Sequence, residues 1–128
     1  MRLLLDSHVL LWAAENPSML SNQARAALED ERNDLFIGAG CIWEISIKVA
    51  LGKLSLSLPM RDWMFKALMD LRVDLLPVTV EYVERQRQLP FHHRDPFDRL
   101  LVAQALVESM PLVSSDSVLD VYGVARLW

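Results

Sequence analysis

The segment Arg2-Leu3-Leu4-Leu5-Asp6-Ser7-His8 decides how the rest of the chain is read. Three apolar residues in a row, with no polar alternation, are the pattern of a short strand buried on both faces. Asp6 and Ser7 then cap a helix predicted from about His8 to Ala14, which Asn16-Pro17 stops. A buried strand running directly into a helix points to an α/β fold, and in such folds chemistry gathers at the carboxyl ends of strands.

Outward from that segment the same alternation repeats. Ser21 caps a helix from about Asn22 to Glu31, with Ala24, Ala27 and Leu28 on one face, and Leu35-Phe36-Ile37 is a second strand, with Gly38 and Gly40 marking the turn after it. From Ile42 to Leu51 the residues Glu44 to Val49 alternate like a strand, but the length and the closing Gly52 suit a helix, and helix is the assignment taken. Asp62 to Leu71 is a helix, Asp74 to Leu76 a third strand, and Thr79 caps a polar helix to about Gln88. After the loop Phe91-His92-His93-Arg94, Asp95-Pro96-Phe97-Asp98 opens a largely apolar helix to about Glu108. Pro111 to Val113 and Val124 to Leu127 are the last two strands. The expectation is an α/β/α sandwich with a central, mostly parallel sheet of about five short strands, forming a single domain over residues 1–128.

Composition narrows the function classes. The chain is 52% hydrophobic and carries no linker or low-complexity tract, so 128 residues suffice for one real core. Its one cysteine, Cys41, excludes an internal disulfide framework and a structural zinc site built on clustered thiolates, and a cytoplasmic location is expected. Asp6, His8 and Glu15 break the apolar start, so neither a signal peptide nor a membrane span is expected. A net charge of −4 argues against a broad basic surface for nucleic acid, although bound divalent ions reverse the local potential at an acidic site.

Four carboxylates stand out: Asp6, Glu44, Asp98 and Asp116. If they converge, each pair at about 4 Å costs on the order of 4 kcal/mol at an effective dielectric near 20, so they must bind metal or stay partly protonated. Each also has a plain structural reading. Asp6 is a helix cap, Glu44 is a partner for Lys48 four residues on, Asp116 in Ser114-Ser115-Asp116-Ser117 is turn chemistry, and Asp98 complements a helix dipole that Asp95 already caps. His92 and His93 suit a solvated loop. With Arg94 and Arg99 they are also the one basic feature near the acids, and contact with substrate phosphate through Arg99, Arg94 and His93 is the functional alternative. Arg85 and Arg87 decorate an exposed helix face.

Taken together, Leu4-Leu5-Asp6-Ser7-His8, Trp43-Glu44-Ile45 with Lys48, Asp95-Pro96-Phe97-Asp98-Arg99-Leu100-Leu101-Val102-Ala103-Gln104-Ala105, and Leu112-Val113-Ser114-Ser115-Asp116 make the chain resemble the PIN-domain ribonucleases, especially the VapC-type toxins of bacterial toxin–antitoxin pairs. The resemblance spans nearly the whole chain. It implies that Asp6, Glu44, Asp98 and Asp116 form an acidic quartet holding one or two Mg²⁺, with Mn²⁺ as a substitute, for hydrolysis of RNA phosphodiesters. Ser114 then fills the position of the family's supporting hydroxyl, more often Thr, and Asp95 is a supporting acid better assigned as a cap. A homodimer and a cognate antitoxin are implied as partners. Rival readings are a non-catalytic PIN-like interaction module, a housekeeping RNA-processing PIN nuclease, and a Mg²⁺-dependent phosphatase. The last usually has a second Asp where His8 stands. Met60, Trp63, Met64, Phe65 and Met69 wrap more of their helix than one buried face needs, which suggests either a partner surface or ordinary core.

Overall fold

Leu3, Leu4 and Leu5 are wholly buried in the central strand β1 (Arg2–Leu5) of a five-stranded sheet, in a computed structural model that describes residues 1–128. Around β1 the chain adds α1 (Ser7–Glu15), α2 (Asn22–Glu29), β2 (Asp34–Gly38), α3 (Ala39–Ala50), α4 (Met60–Asp70), β3 (Val73–Leu76), α5 (Val80–Gln88), α6 (Pro96–Glu108), β4 (Leu112–Val113) and β5 (Arg126–Leu127). Short 3₁₀ turns occupy Pro17–Met19 and Ser117–Tyr122.

The strand order is β3-β2-β1-β4-β5, and every pairing is parallel. Parallel neighbours need helical crossovers, which cover the sheet and explain why β1 shows no polar alternation. Leu5 lies opposite both Ile37 of β2 and Val113 of β4, so β1 and β4 end level and β2 runs one residue further. The expected architecture and strand count are therefore as read from the sequence, with the sheet wholly rather than mostly parallel.

The segment after β2 differs. Gly38 and Gly40 do not form a turn: Gly38 is the last residue of β2 and the cap of α3, and Gly40 already lies in the first turn of that helix. Their small size serves close approach. A Cβ on Gly40 would come within 2.8 Å of Leu100 Cδ2 on α6, and one on Gly38 would overlap Gln104 Oε1, also on α6. Helices α3 and α6 can thus press together near the strand ends.

Helix α4 decides between the two readings left open for it. Trp63 and Met64 face inward at 3% and 6% exposure and join the main core, and the Trp63 indole donates to Glu15 Oε1 at the end of α1. Only Phe65 and Met69 of the suggested surface stand well out, Met69 at 78% exposure. The helix is apolar on a wide arc because its inner face meets both α1 and the sheet side of the core.

Gly38→Ala should destabilise the protein by about 1–3 kcal/mol, the usual cost of overpacking a filled interior, because Gln104 is itself buried and cannot swing aside. Denaturant unfolding of the two proteins measures the difference. Equal stability would mean that α3 and α6 are not in tight contact there.

Candidate metal centre

The strand order reverses direction at β1, whose neighbours β2 and β4 lie on opposite sides. Crossovers leaving such a point diverge and open a crevice beyond the strand ends. Asp6 follows β1 at this crevice, and Ser114 to Asp116 follow β4. The Asp6 backbone N–H donates to Val113 O at 3.0 Å, so the ladder carries the two segments forward side by side. The Ser114 hydroxyl then donates to Asp6 Oδ2 at 2.8 Å and accepts the Asp116 N–H at 3.0 Å. The other Asp6 oxygen caps α1 by accepting the Ser7 N–H at 2.7 Å. At 4% exposure, Asp6 is the floor of the crevice.

Glu44 reaches the same place from α3. It forms no ion pair with Lys48; instead Oε1 accepts the Ser7 hydroxyl at 2.7 Å, which ties α3 to the start of α1. Asp98 arrives from the first turn of α6, whose cap is Asp95: Oδ1 accepts the Phe97 N–H at 2.8 Å and the Asp98 N–H at 3.4 Å. Oxygens of Glu44, Asp95 and Asp98 lie within 4.8 Å of one another, and so do donor atoms of His93, Asp98 and Asp116. Asp98 belongs to both groups and is the hub of the site.

The electrostatics agree with this placement. Asp98 is pushed up to about 7, first by burial and then by the negative charges of Asp95, Asp6 and Glu44, with His93 opposing. His93 Nε2 stands 3.3 Å from Asp98 Oδ2. Because His93 Nδ1 accepts the Asp95 N–H at 3.1 Å, Nε2 is the nitrogen that carries a proton, facing Asp98. His8 sits on the opposite side, with Nδ1 3.5 Å from Asp6 Oδ2 and Nε2 accepting the Ser115 N–H at 3.0 Å. Burial lowers its pKa despite the pull of Asp6, Asp116 and Glu44, which keeps the ring neutral. Cys41 lies below the acids, and burial pushes its thiol well up, so it offers no thiolate.

The donor chemistry therefore fits a hard divalent cation. Carboxylate oxygens of Glu44, Asp95, Asp98 and Asp116 are the available ligands, the one sulfur is protonated, and the two imidazoles turn N–H groups toward the acids. Asp6 supports from below, with both oxygens already hydrogen-bonded.

One expected substrate contact is overturned. Arg99 is 5% exposed, and its guanidinium donates to Gln86 O, Leu89 O and Pro90 O at 3.0, 3.2 and 2.8 Å while stacking on Phe91. Five rigid N–H donors suit a buried cluster of carbonyls, so Arg99 clamps the end of α5 and the following loop onto α6. Arg94 remains exposed on that loop, and His93 lies beside Asp98. His8 and Ser7 were not singled out from the sequence as site residues, yet both belong to the network. The available signal was their position directly after Asp6 at a strand end.

A carboxyl pKa raised on folding favours the folded state at low pH. This contribution is present below about 4, the unfolded value, and is lost as pH rises through about 7. Metal-free protein should therefore lose stability between pH 5 and pH 8, and Asp98→Asn should flatten that slope. Thermal melting across the range, with and without Mg²⁺, checks it; a parent-like slope in the variant would remove Asp98 as its source.

Known proteins share this fold. The family model described as "PIN domain" matches residues 3–125. The chain is 30% identical over 115 residues to Ribonuclease VapC22 of Mycobacterium tuberculosis (strain ATCC 25618 / H37Rv), covering 88% of this chain and 85% of that protein. Among solved structures, VapBC2 from Rickettsia felis bound to a DNA fragment from its promoter superposes with a TM-score of 0.74 at 15% identity, covering 98% and 97% of the two chains. FitAcB from Neisseria gonorrhoeae gives 0.62 at 20% identity, covering 97% and 95%. The crevice at the strand-order reversal, the matched family model and the VapC22 relationship lead to one conclusion: the chain belongs to the PIN-domain family and, within it, sits with the VapC-type proteins.

Proposed function

We propose that this protein is a Mg²⁺-dependent endoribonuclease, a single nuclease domain acting as the toxin of a toxin–antitoxin pair, with Mn²⁺ able to replace Mg²⁺. The observation that carries the reading is the hub position of Asp98, close to Glu44 and Asp95 on one side and to Asp116 on the other and held at a raised pKa by burial and then by the negative charges around it. A site that crowds carboxylates at a cost to its own stability is suited to a cation. Further support comes from the relative named as a ribonuclease and from a member of the VapBC family of toxin–antitoxin systems that shares the fold.

Asp98 and Glu44 would hold the ion directly, Asp116 would complete or extend the set, and Asp6 would fix their spacing through Ser114 and Ser7. Such an ion supplies Lewis-acid polarisation of the phosphodiester and activation of water for in-line attack. The chain itself does the rest. Buried acids keep negative potential in the crevice, the helix caps hold their carboxylates in fixed orientations, and the His93 N–H offers a donor toward Asp98 and the scissile group. Arg94, exposed on the adjoining loop, is available to an RNA phosphate. RNA is the substrate in this reading, a cognate antitoxin and a second copy of the chain are partners, and the cytoplasm is the location. No helix is long and apolar enough to cross a membrane.

Antitoxin-free protein should cut RNA in a mixed tRNA, ribosomal and messenger pool with Mg²⁺ and not with chelator. Asp98→Asn and Asp6→Asn should each lower the rate by more than about 100-fold, beyond the usual cost of losing an outer partner of a metal ligand. Both variants should melt no lower than the parent at pH 8, since each relieves repulsion. Parent-like cutting by Asp98→Asn would reject the site; intact RNA with every parent sample would reject the activity.

A further inference from the structure

We propose that His8 is a positioning residue for the metal centre, a brace that fixes the Asp116 segment relative to Asp6. The inference rests on the reading of these acids as a cation site.

Two runs of three residues meet at the crevice. Asp6, Ser7 and His8 leave β1, and Ser114, Ser115 and Asp116 leave β4. Ser7 is committed elsewhere, to Glu44. Between the two runs, Ser114 Oγ bonds Asp6 Oδ2 at 2.8 Å, and the next residue, Ser115, places its N–H 3.0 Å and its hydroxyl 2.9 Å from His8 Nε2. The other bonds to this run centre on Ser114, whose N–H donates to Leu127 O at 3.3 Å and whose carbonyl accepts from Arg126 at 3.1 Å, so without His8 the Ser115 side of the turn has no tie to the β1 run. The His8 contact, one residue further on, joins the Asp116 N–H bond to Ser114 Oγ in setting where Asp116 stands, and it is the one that ties this turn to the residue after Ser7.

The ring is suited to that task. Trp12 packs on it with centroids 4.8 Å apart, and Trp128 lies against it edge-on at 6.1 Å, so its plane is fixed from two sides. With Nε2 accepting from Ser115, the proton sits on Nδ1, which faces Asp6 Oδ2 at 3.5 Å, the outer limit of a hydrogen bond. One side chain therefore reads both strand ends. Partners of this kind orient ligands, and their loss typically costs about 10–100-fold in metal affinity.

The alternative is that His8 is only an aromatic filler between two tryptophans. His8→Phe separates the two roles, because it keeps a ring in the stack and removes both polar ends. His8→Asn retains an N–H donor at the δ position toward Asp6, and His8→Gln an acceptor at the ε position toward Ser115. Mn²⁺ binding to metal-free protein, read by electron paramagnetic resonance, is compared with melting temperature for all three. The brace requires His8→Phe to melt close to the parent and to bind Mn²⁺ about 10–100-fold more weakly, with His8→Asn and His8→Gln also weakened because each holds one end only. Parent-like Mn²⁺ affinity in His8→Phe overturns the proposal. If His8→Phe does not fold, parent-like affinity in both His8→Asn and His8→Gln overturns it instead. A parent protein that binds no Mn²⁺ removes the cation site itself, a different failure from parent-like binding in the variants.

Discussion

Hydrogen bonds from helix starts to acid side chains are what make this crevice tenable. Asp6 caps α1, Asp95 caps α6 and Asp116 caps the 3₁₀ turn at Ser117–Tyr122, each through one carboxylate oxygen. A helix start presents unsatisfied N–H groups and a partial positive charge, which offset part of the cost of a nearby anion. The fold thus points several helix starts at the place where its negative charges collect. Capping and cation binding are not rival roles here, because a capping carboxylate commits one oxygen and leaves the other turned to the crevice or, for Asp6, to Ser114.

What the caps do not offset falls on Asp98, whose neighbours are acidic on several sides and whose one nearby counterweight is the His93 imidazole. The scaffold around it is correspondingly firm. Arg99, the very next residue, turns the other way and locks three carbonyls of the α5 end and its loop, and Gly38 and Gly40 let α3 close onto α6. Strain at the acids is held by tight packing one layer below them, a division common where function and stability compete.

Much of this was legible in the chain. The run Leu3-Leu4-Leu5 could only be buried, and Asp95-Pro96 with a following apolar stretch could hardly be other than a helix start, so the βαβ order and the places of Asp6 and Asp98 followed from local physics. Residues 42–50 are helical, as their length and the closing Gly52 indicate, and Glu44 faces an interior partner, Ser7, rather than Lys48. The misreadings share a cause. Arg99 looked like a phosphate contact because charge is visible in sequence whereas a cluster of free carbonyls is not. Gly38 and Gly40 looked like a turn because sequence shows a missing side chain without showing the helix that needs the room. For Trp63 and Met64 core and partner surface stayed open in the sequence, because the second element packed on α4 is out of view there. His8 required knowing which strand lies beside β1.

The sheet does not support both walls of the crevice equally. On one side β1, β2 and β3 pair over four positions each, while on the other β4 and β5 contribute only two residues apiece. Few ladder bonds mean a low free energy of local opening, and amide exchange would register the two sides as separate cooperative units. The wall carrying Glu44 thus rests on the longer ladders, while on the Asp116 side the short ladder leaves side chains, Ser114 and His8 among them, to carry more of the restraint.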